Sequence, residues 1–256
     1  MYRGIQLIIR FCAIYMLAIT AARAELPPGY QVVLLTENFP PFNMAADDKN
    51  FARDENVQGV NTDIVREMFK RAGIDYNLTL RFPWDRIYSM VLEKPSYGIF
   101  STTRNEARES LFKWVGPLST TERVLVSAPD KSFKVERLED AKQYRIGAYK
   151  SSSTAAYLDK NGVPYEESLR DPENIRKLLV GEIDLWATND PVFRYYAAQE
   201  GAKGLKVASV IEASTRQYLA MNPETPDEVV VALQRALDQM NADGTTARLA
   251  QRYFGQ

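Results

Sequence analysis

The sequence predicts an α/β chain folded as two lobes, each a mainly parallel sheet flanked by helices. Three observations carry this reading. Apolar strand-like runs alternate with amphipathic helical stretches along most of the chain, the pattern of a layered α/β fold. Beyond a removable leader, about 230 residues remain, enough for one large core or for two lobes of roughly 100 residues without disulfides. Two polar segments between apolar strands, Pro117 to Glu122 and Glu212 to Gln217, read as crossings. Together they place the middle third, 120–215, in one lobe and residues 25–119 with 216–256 in the other.

The leader is the first element. Arg3 and Arg10 begin it, an apolar stretch runs from Phe11 to Ile19, and Ala22-Arg23-Ala24 precedes Glu25, the three zones of an export signal cleaved after Ala24. The apolar stretch is shorter than the roughly 20 residues of a spanning helix, and an uncleaved anchor is the alternative. Cys12, the single cysteine, lies in this leader. The mature chain then has no disulfide and no thiol nucleophile. It carries 29 Lys and Arg against 33 Asp and Glu, a formal charge of −4, which argues against nucleic acid or anionic membranes as partners.

Strands follow at Gln31 to Thr36, Tyr76 to Arg81, Gly98 to Thr102, Val124 to Ala128, Arg145 to Tyr149, Ile183 to Ala187, Leu205 to Val210 and Gln217 to Met221. Between the first two, Asn61 to Ala72 shows Ile64, Val65, Met68, Phe69 and Ala72 on one face and stops at Gly73, suited to a left-handed cap. A short helix spans Ile87 to Leu92. Asp190-Pro191 offers an N-cap acid and a proline at the first helical position for a helix reaching Gly201. Thr225-Pro226-Asp227-Glu228 reads as a capping box opening a helix that shows Val229, Leu233, Leu237 and Met240. A last amphipathic helix after Gly244 includes Leu249 and Tyr253.

Candidate chemistry sits where strands end. Thr36-Glu37-Asn38-Phe39-Pro40-Pro41-Phe42 leaves the first strand, with Glu37 able to accept from an ammonium and Phe39 able to form a flat wall. A rigid turn with core aromatics is the plainer reading. In Pro83-Trp84-Asp85-Arg86 the indole can stack on a ligand or bury against the next helix, and the residues alone favour burial. Ser101-Thr102-Thr103 comes off a strand, with Arg108 about one helical turn further on. A guanidinium matches a carboxylate with two parallel hydrogen bonds while hydroxyls satisfy the remaining lone pairs. Arg104 and Arg108 can equally be surface arginines paired with Glu106 or Glu109. Lys150-Ser151-Ser152-Ser153-Thr154 opens a helix whose free amides suit an anion. Asn189 and Asp190 complete the polar set, with capping the favoured role for Asp190. The mature chain has no histidine or cysteine and no glycine-rich phosphate loop, which argues against nucleophilic triads, zinc sites and nucleotide binding. No metal or cofactor is expected.

In order and spacing the chain resembles the family 3 extracellular solute-binding proteins, the polar amino acid class that feeds ABC importers. The resemblance runs from Leu26 to Gln256 and rests on Thr-Glu-Asn-Phe-Pro-Pro-Phe at Thr36, Gly59 with Asp63, Pro-Trp-Asp-Arg at Pro83, Arg-Asn-Glu-Ala-Arg-Glu at Arg104, Lys-Trp-Val-Gly-Pro at Lys113, Ile-Gly-Ala-Tyr-Lys-Ser-Ser-Ser at Ile146 and Asp-Gly at Asp243. It implies the type II periplasmic binding protein fold, with two hinge crossings and a ligand enclosed as the lobes close. It implies Arg108 on a ligand carboxylate with Ser101 and Thr103, Ser153 and Thr154 from the second lobe, and Phe39 and Trp84 around the ligand side chain. The expected partners are a small carboxylate, most simply an amino acid, and an ABC permease in the inner membrane, with the protein a periplasmic monomer and not an enzyme.

Asn189 departs from the family pattern, where an aspartate usually holds the α-ammonium. Glu37 can compensate, or the ligand lacks an ammonium. Gly98 and Pro95 also depart, in places where relatives have aspartate and glycine. Arg104 offers a spare positive charge, so a dicarboxylate enters the candidates. The alternatives on the same scaffold are a cyclohexadienyl or arogenate dehydratase with Glu37 as acid, and a ligand-sensing partner of a membrane receptor.

Overall fold

The computed structural model describes Pro27 and residues 29–254, so the expected export signal at 1–24 lies outside the described residues. Before Gln31 the described residues make one turn, closed by the Tyr30 N–H donating to the Pro27 carbonyl at 2.9 Å.

From Gln31 onward the elements run in chain order. β1 (Gln31–Thr36) leads into a small hairpin of β2 (Met44–Ala45) and β4 (Val57–Gln58), with the edge strand β3 (Phe51–Arg53) between them. Then come α1 (Val60–Ala72), β5 (Asp75–Arg81), α2 (Trp84–Glu93), β6 (Tyr97–Thr103) and the long β7 (Lys113–Ser127). The middle of the chain supplies β8 (Ile146–Tyr149), α3 (Ser153–Lys160), β9 (Glu166–Ser168), α4 (Asp171–Val180), β10 (Leu185–Asp190) and α5 (Val192–Gln199). A second long strand, β11 (Lys206–Met221), returns to α6 (Asp227–Ala242) and α7 (Thr245–Phe254).

The strands form one sheet in the order β3-β5-β1-β6-β11-β7-β10-β8-β9. At one end β5, β1 and β6 are mutually parallel, and at the other β10, β8 and β9 are. The antiparallel pair β7 and β11 runs between them through both lobes. Each parallel set has its own core. Leu35, Ile87, Val91, Ile99 and Phe112 pack together in one, and Leu125, Ile146, Ala148, Leu158 and Leu185 in the other. This is the two-lobed α/β architecture with two crossings expected from the alternation of elements.

The expected faces hold where periodicity was strong. α1 buries Ile64, Val65, Met68 and Phe69 and ends on Gly73 at φ 65°, whose N–H reaches the Lys70 carbonyl. α6 buries Val229, Leu233, Leu237 and Met240.

The polar segments read as crossings, 117–122 and 212–217, are the middles of the long strands β7 and β11, paired at Ser119 with Gln217, Thr120 with Arg216 and Thr121 with Thr215. Their side chains are polar, yet their backbone groups are satisfied across the pair, which is what a strand requires. Thr225 does not cap α6. Pro226 occupies the N-cap, the Thr225 hydroxyl finds no hydrogen-bond partner among the described residues, and its carbonyl accepts from Lys113 Nζ at 2.7 Å. Asp190 is likewise the last residue of β10 rather than an N-cap, since Pro191 takes that position, and its carboxylate pairs with Arg194 at 2.7 Å.

Candidate functional site

The C-terminal ends of β1, β6, β8 and β10 open onto one cleft, as open α/β sheets commonly place their ligand sites. Glu37, Phe39, Trp84, Ser101, Thr103, Arg108, Ser153, Thr154 and Asn189, the nine residues singled out by sequence, all line it. The empty space among the lining residues, mouth and open solvent included, is about 630 Å³.

One end of the cleft is positive. Arg108 lies in the 3-10 turn Glu106–Leu111, whose N-cap Asn105 accepts from the Arg108 backbone N–H at 3.1 Å. Its guanidinium is half-buried, stands 5.1 Å from the Tyr88 ring centre and 6.0 Å from that of Trp84, and donates only a long bond to the Thr103 carbonyl at 3.5 Å. No carboxylate among the described residues pairs with it. Burial lowers its pKa from the ordinary arginine value, against a smaller opposing effect from Tyr88.

Hydroxyls from both lobes meet beside it. Thr103 Oγ1 donates to Ser153 Oγ at 3.0 Å, joining the end of β6 to the start of α3. Ser152 caps α3, accepting from the Ala155 N–H at 3.0 Å, which leaves Ser153 and Thr154 in the first turn facing the cleft. Behind them sits Arg123 of β7, 2% exposed, which sequence reading left between the crossing ending at Glu122 and the strand starting at Val124. It donates to Thr154 Oγ1 at 3.1 Å and Ser153 Oγ at 3.3 Å, lies 4.5 Å from the Tyr157 ring centre and pairs with Glu212 of β11. Burial pulls its pKa down to about 10, with Tyr157 opposing and the nearby Arg108 charge adding to the fall. Ser101, at φ 59°, donates to Asn43 Oδ1 and accepts from Asn61 Nδ2 at 2.9 Å, so its hydroxyl is already engaged.

Asn189 is buried and spoken for. Its Nδ2 donates to Thr121 Oγ1 at 3.1 Å, and its Oδ1 accepts from Thr154 Oγ1 at 3.5 Å. Arg104 carries no spare charge for the cleft: it takes Glu109 in a two-pronged ion pair, with Nε to Oε2 at 2.8 Å, and packs against the Trp114 and Tyr218 rings.

The other end is acidic. Glu37 is buried, and Tyr149 Oη donates to its Oε1 at 2.7 Å. Burial pushes its carboxyl from the ordinary 4.5 up to about 8, against the Tyr149 hydrogen bond and with the charges of Asp171 and Asp85 adding to the rise. Asp171, first residue of α4, is raised to about 7 by burial, against the hydrogen bond its Oδ1 accepts from Trp186 Nε1 at 3.2 Å. Aromatic walls come from Trp84 and from Phe39, which stacks on Phe42 with ring centres 5.3 Å apart.

Asn43, Tyr149, Asp171 and Gln217 line or brace the cleft without having been singled out. Tyr149 closes an expected strand, so its place at a strand end was a usable signal. Asp171 carried none, because its approach depends on how α4 docks. Among the described residues no group of three or more His, Cys, Asp or Glu is arranged to hold a metal ion, and no helix is long and apolar enough to cross a membrane.

Residues 32–256 match the family model for bacterial extracellular solute-binding proteins, family 3. The L-cystine-binding protein TcyA of Bacillus subtilis (strain 168) is 20% identical over 204 residues, 79% of this chain and 74% of that protein. The arginine-, lysine-, histidine-binding protein ArtJ of the thermophilic bacterium Geobacillus stearothermophilus superposes with a TM-score of 0.75 at 20% identity, covering 89% of this chain and 96% of its own. A histidine kinase sensor domain with similarity to periplasmic binding proteins superposes at 0.78 and 15% identity, over 88% of this chain and 96% of that one.

Proposed function

The chain belongs to the bacterial extracellular solute-binding proteins, family 3, and from that premise we propose that it captures a small polar carboxylate, an amino acid first among them, in the cleft between its lobes. The single observation carrying this is Arg108: a half-buried guanidinium lining the cleft, beside hydroxyls from both lobes, with no carboxylate partner among the described residues. A buried cation left without its counter-charge is unfavourable, and a ligand carboxylate supplies that charge with two parallel hydrogen bonds. The lobe boundaries we infer fall within the paired crossings, at 119/120 and 215/216. Thr103 to Ser153 is then a contact between lobes that closure makes and opening breaks. Binding needs no covalent step, and the closed protein would present its ligand to an ABC permease from the periplasm.

The test is a thermal-shift screen of residues 25 to 256, refolded to strip carried-over ligand, against amino acids, dicarboxylates, keto acids and prephenate. A ligand at about 100 times its dissociation constant adds about 2.7 kcal/mol, or roughly 5 to 10 °C here. A shift with a carboxylate supports capture. No shift with any carboxylate contradicts it, and consumption of prephenate would replace it with the dehydratase reading.

A further inference from the structure

Gln217 stands in the middle of β11, opposite Thr103 of β6 on one side and Ser119 of β7 on the other. Residues paired across neighbouring strands put their side chains on the same face of a sheet, so Gln217 and Thr103 lie side by side in the cleft that both line. Gln217 is 2% exposed, and an amide buried this far ordinarily has its polar atoms paired. Its Oε1 lies 3.4 Å from Thr103 Oγ1, while its Nε2 has no hydrogen-bond partner among the described residues. Unlike Asn61 Oδ1 and Asn174 Nδ2, which are sealed from solvent without a partner, this end reaches open space, and the space that Gln217 lines is the cleft.

The hydrogens available decide which end of the amide the cleft meets. Thr103 Oγ1 has a single hydrogen and two neighbours, Ser153 Oγ at 3.0 Å and Gln217 at 3.4 Å. The hydrogen goes to Ser153, the shorter contact. Thr103 and Gln217 Oε1 would then face each other with no proton between them, a repulsion that a half-turn of the amide removes, since its two ends are alike in shape. Nε2 then donates to Thr103, and the Gln217 carbonyl oxygen turns to the open end as a free acceptor. Ser153 Oγ meanwhile accepts from Thr103 and from Arg123 Nη2 at 3.3 Å. Both its lone pairs are filled, so its own hydrogen is left to donate into the cleft that it lines.

We propose that Gln217 is a specificity residue whose carbonyl accepts a hydrogen from the substituent next to the ligand's carboxylate, so that the site takes 2-hydroxy and 2-amino acids and discriminates against 2-oxo acids. This rests on the carboxylate reading of Arg108 and extends it by naming the group on the neighbouring carbon. The links are short: Arg108 reaches the Thr103 carbonyl at 3.5 Å, and the Thr103 hydroxyl joins Ser153 to Gln217. A carboxylate held by Arg108 and the free Ser153 hydrogen brings the substituent on its next carbon toward Gln217. A 2-oxo group there meets the Gln217 carbonyl as a second acceptor. It is accommodated only by running the relay backwards, with Nε2 toward the ligand, Thr103 donating to Gln217 and Ser153 donating to Thr103, and the carboxylate then loses Ser153. Either way the 2-oxo acid forfeits one hydrogen bond. Gln217 is neutral, so it receives a hydroxyl as well as an ammonium.

The experiment is calorimetric titration of residues 25 to 256 with three matched sets, built on L-leucine, L-glutamate and L-arginine, each comprising the amino acid, its L-2-hydroxy acid, its 2-oxo acid and the acid with no substituent on that carbon. In the set that binds tightest, the 2-hydroxy and 2-amino members are expected to bind about tenfold or more tightly than the 2-oxo member, the worth of one hydrogen bond. Q217M should cut that ratio to about threefold or less while leaving the unsubstituted acid within about threefold of its wild-type affinity, which also shows that the variant is folded. Q217E, close in shape, puts a charge at the same point and should raise the preference for the 2-amino over the 2-hydroxy member by about tenfold. A 2-oxo acid that binds wild type as tightly as its 2-hydroxy counterpart overturns the proposal without recourse to a variant, and so does an unchanged ratio in Q217M. In either case, loss of binding in R108M leaves the carboxylate reading standing. Failure of every member of all three sets to bind overturns both.

Discussion

Replacing Glu37 by glutamine should stabilise the protein at alkaline pH and leave it nearly unchanged at acid pH. Glu37 is 7% exposed, and burial raises its carboxyl from 4.5 to about 8. The folded state therefore favours the protonated form. Below pH 4.5 the group is neutral in both states and contributes no difference. Between pH 4.5 and 8 the unfolded chain ionises while the folded one resists, so stability falls as pH rises, and above pH 8 the deficit is complete. At about 1.4 kcal/mol per unit, the full deficit is about 5 kcal/mol as an upper bound. Glutamine cannot ionise and still offers Tyr149 Oη an acceptor, so E37Q removes the deficit alone. For a domain of this size that is a gain in Tm of roughly 10 °C at pH 8.5 relative to wild type, fading to a degree or two at pH 5. Thermal unfolding of the ligand-free proteins across pH 5 to 8.5 reads it directly. Asp171, raised in the same direction, tilts both curves without removing the contrast. Parallel curves for the two proteins would refute the claim that Glu37 is desolvated.

Other expectations follow from single contacts. Gly59 sits at φ 128° with the Phe42 carbonyl and the Asn43 backbone nitrogen against the place of a Cβ, so G59A should lower stability by about 2 kcal/mol or more in urea unfolding, through backbone strain and a forced shift of the Phe39 to Asn43 loop. Arg123→Met should cost about 1 kcal/mol by the same measurement, because Glu212 loses its partner but, at 38% exposed, keeps much of its hydration, and the double variant R123M/E212M should recover most of it. Ser152→Ala removes the cap of α3 and should cost about 1 kcal/mol.

Much of the fold was legible because periodicity and punctuation are local. The apolar stripe of α1 and its stop at Gly73, the stripe of α6, and β1 from Gln31 to Thr36 all stand as the pattern implies. Less was legible where tertiary pairing decides. Composition marked Thr120, Thr121, Thr215 and Arg216 only as parts of the two crossings, and it is the partner each faces across β7 and β11 that makes them strand. The caps at Asp190 and Thr225 failed for a related reason: each proline became the cap itself, shifting the hydroxyl or carboxylate one residue too early. Within the cleft, the strand-end rule was enough to gather Glu37, Ser101, Thr103 and Asn189 with Arg108. It could not reveal Arg123, whose value lies in standing behind Ser153 and Thr154, nor Asp171, which reaches the cleft only through the docking of α4.

The central claim is that Arg108 receives the ligand's carboxylate. The direct measurement is calorimetric titration of wild type and R108M with the tightest binder from the screen, after confirming that both unfold cooperatively. Loss of a buried, doubly hydrogen-bonded charge partner should weaken binding by about 100-fold, within the roughly 2 to 5 kcal/mol such truncations cost. An R108M protein that binds within about threefold of wild type would contradict the account and move the carboxylate elsewhere in the cleft.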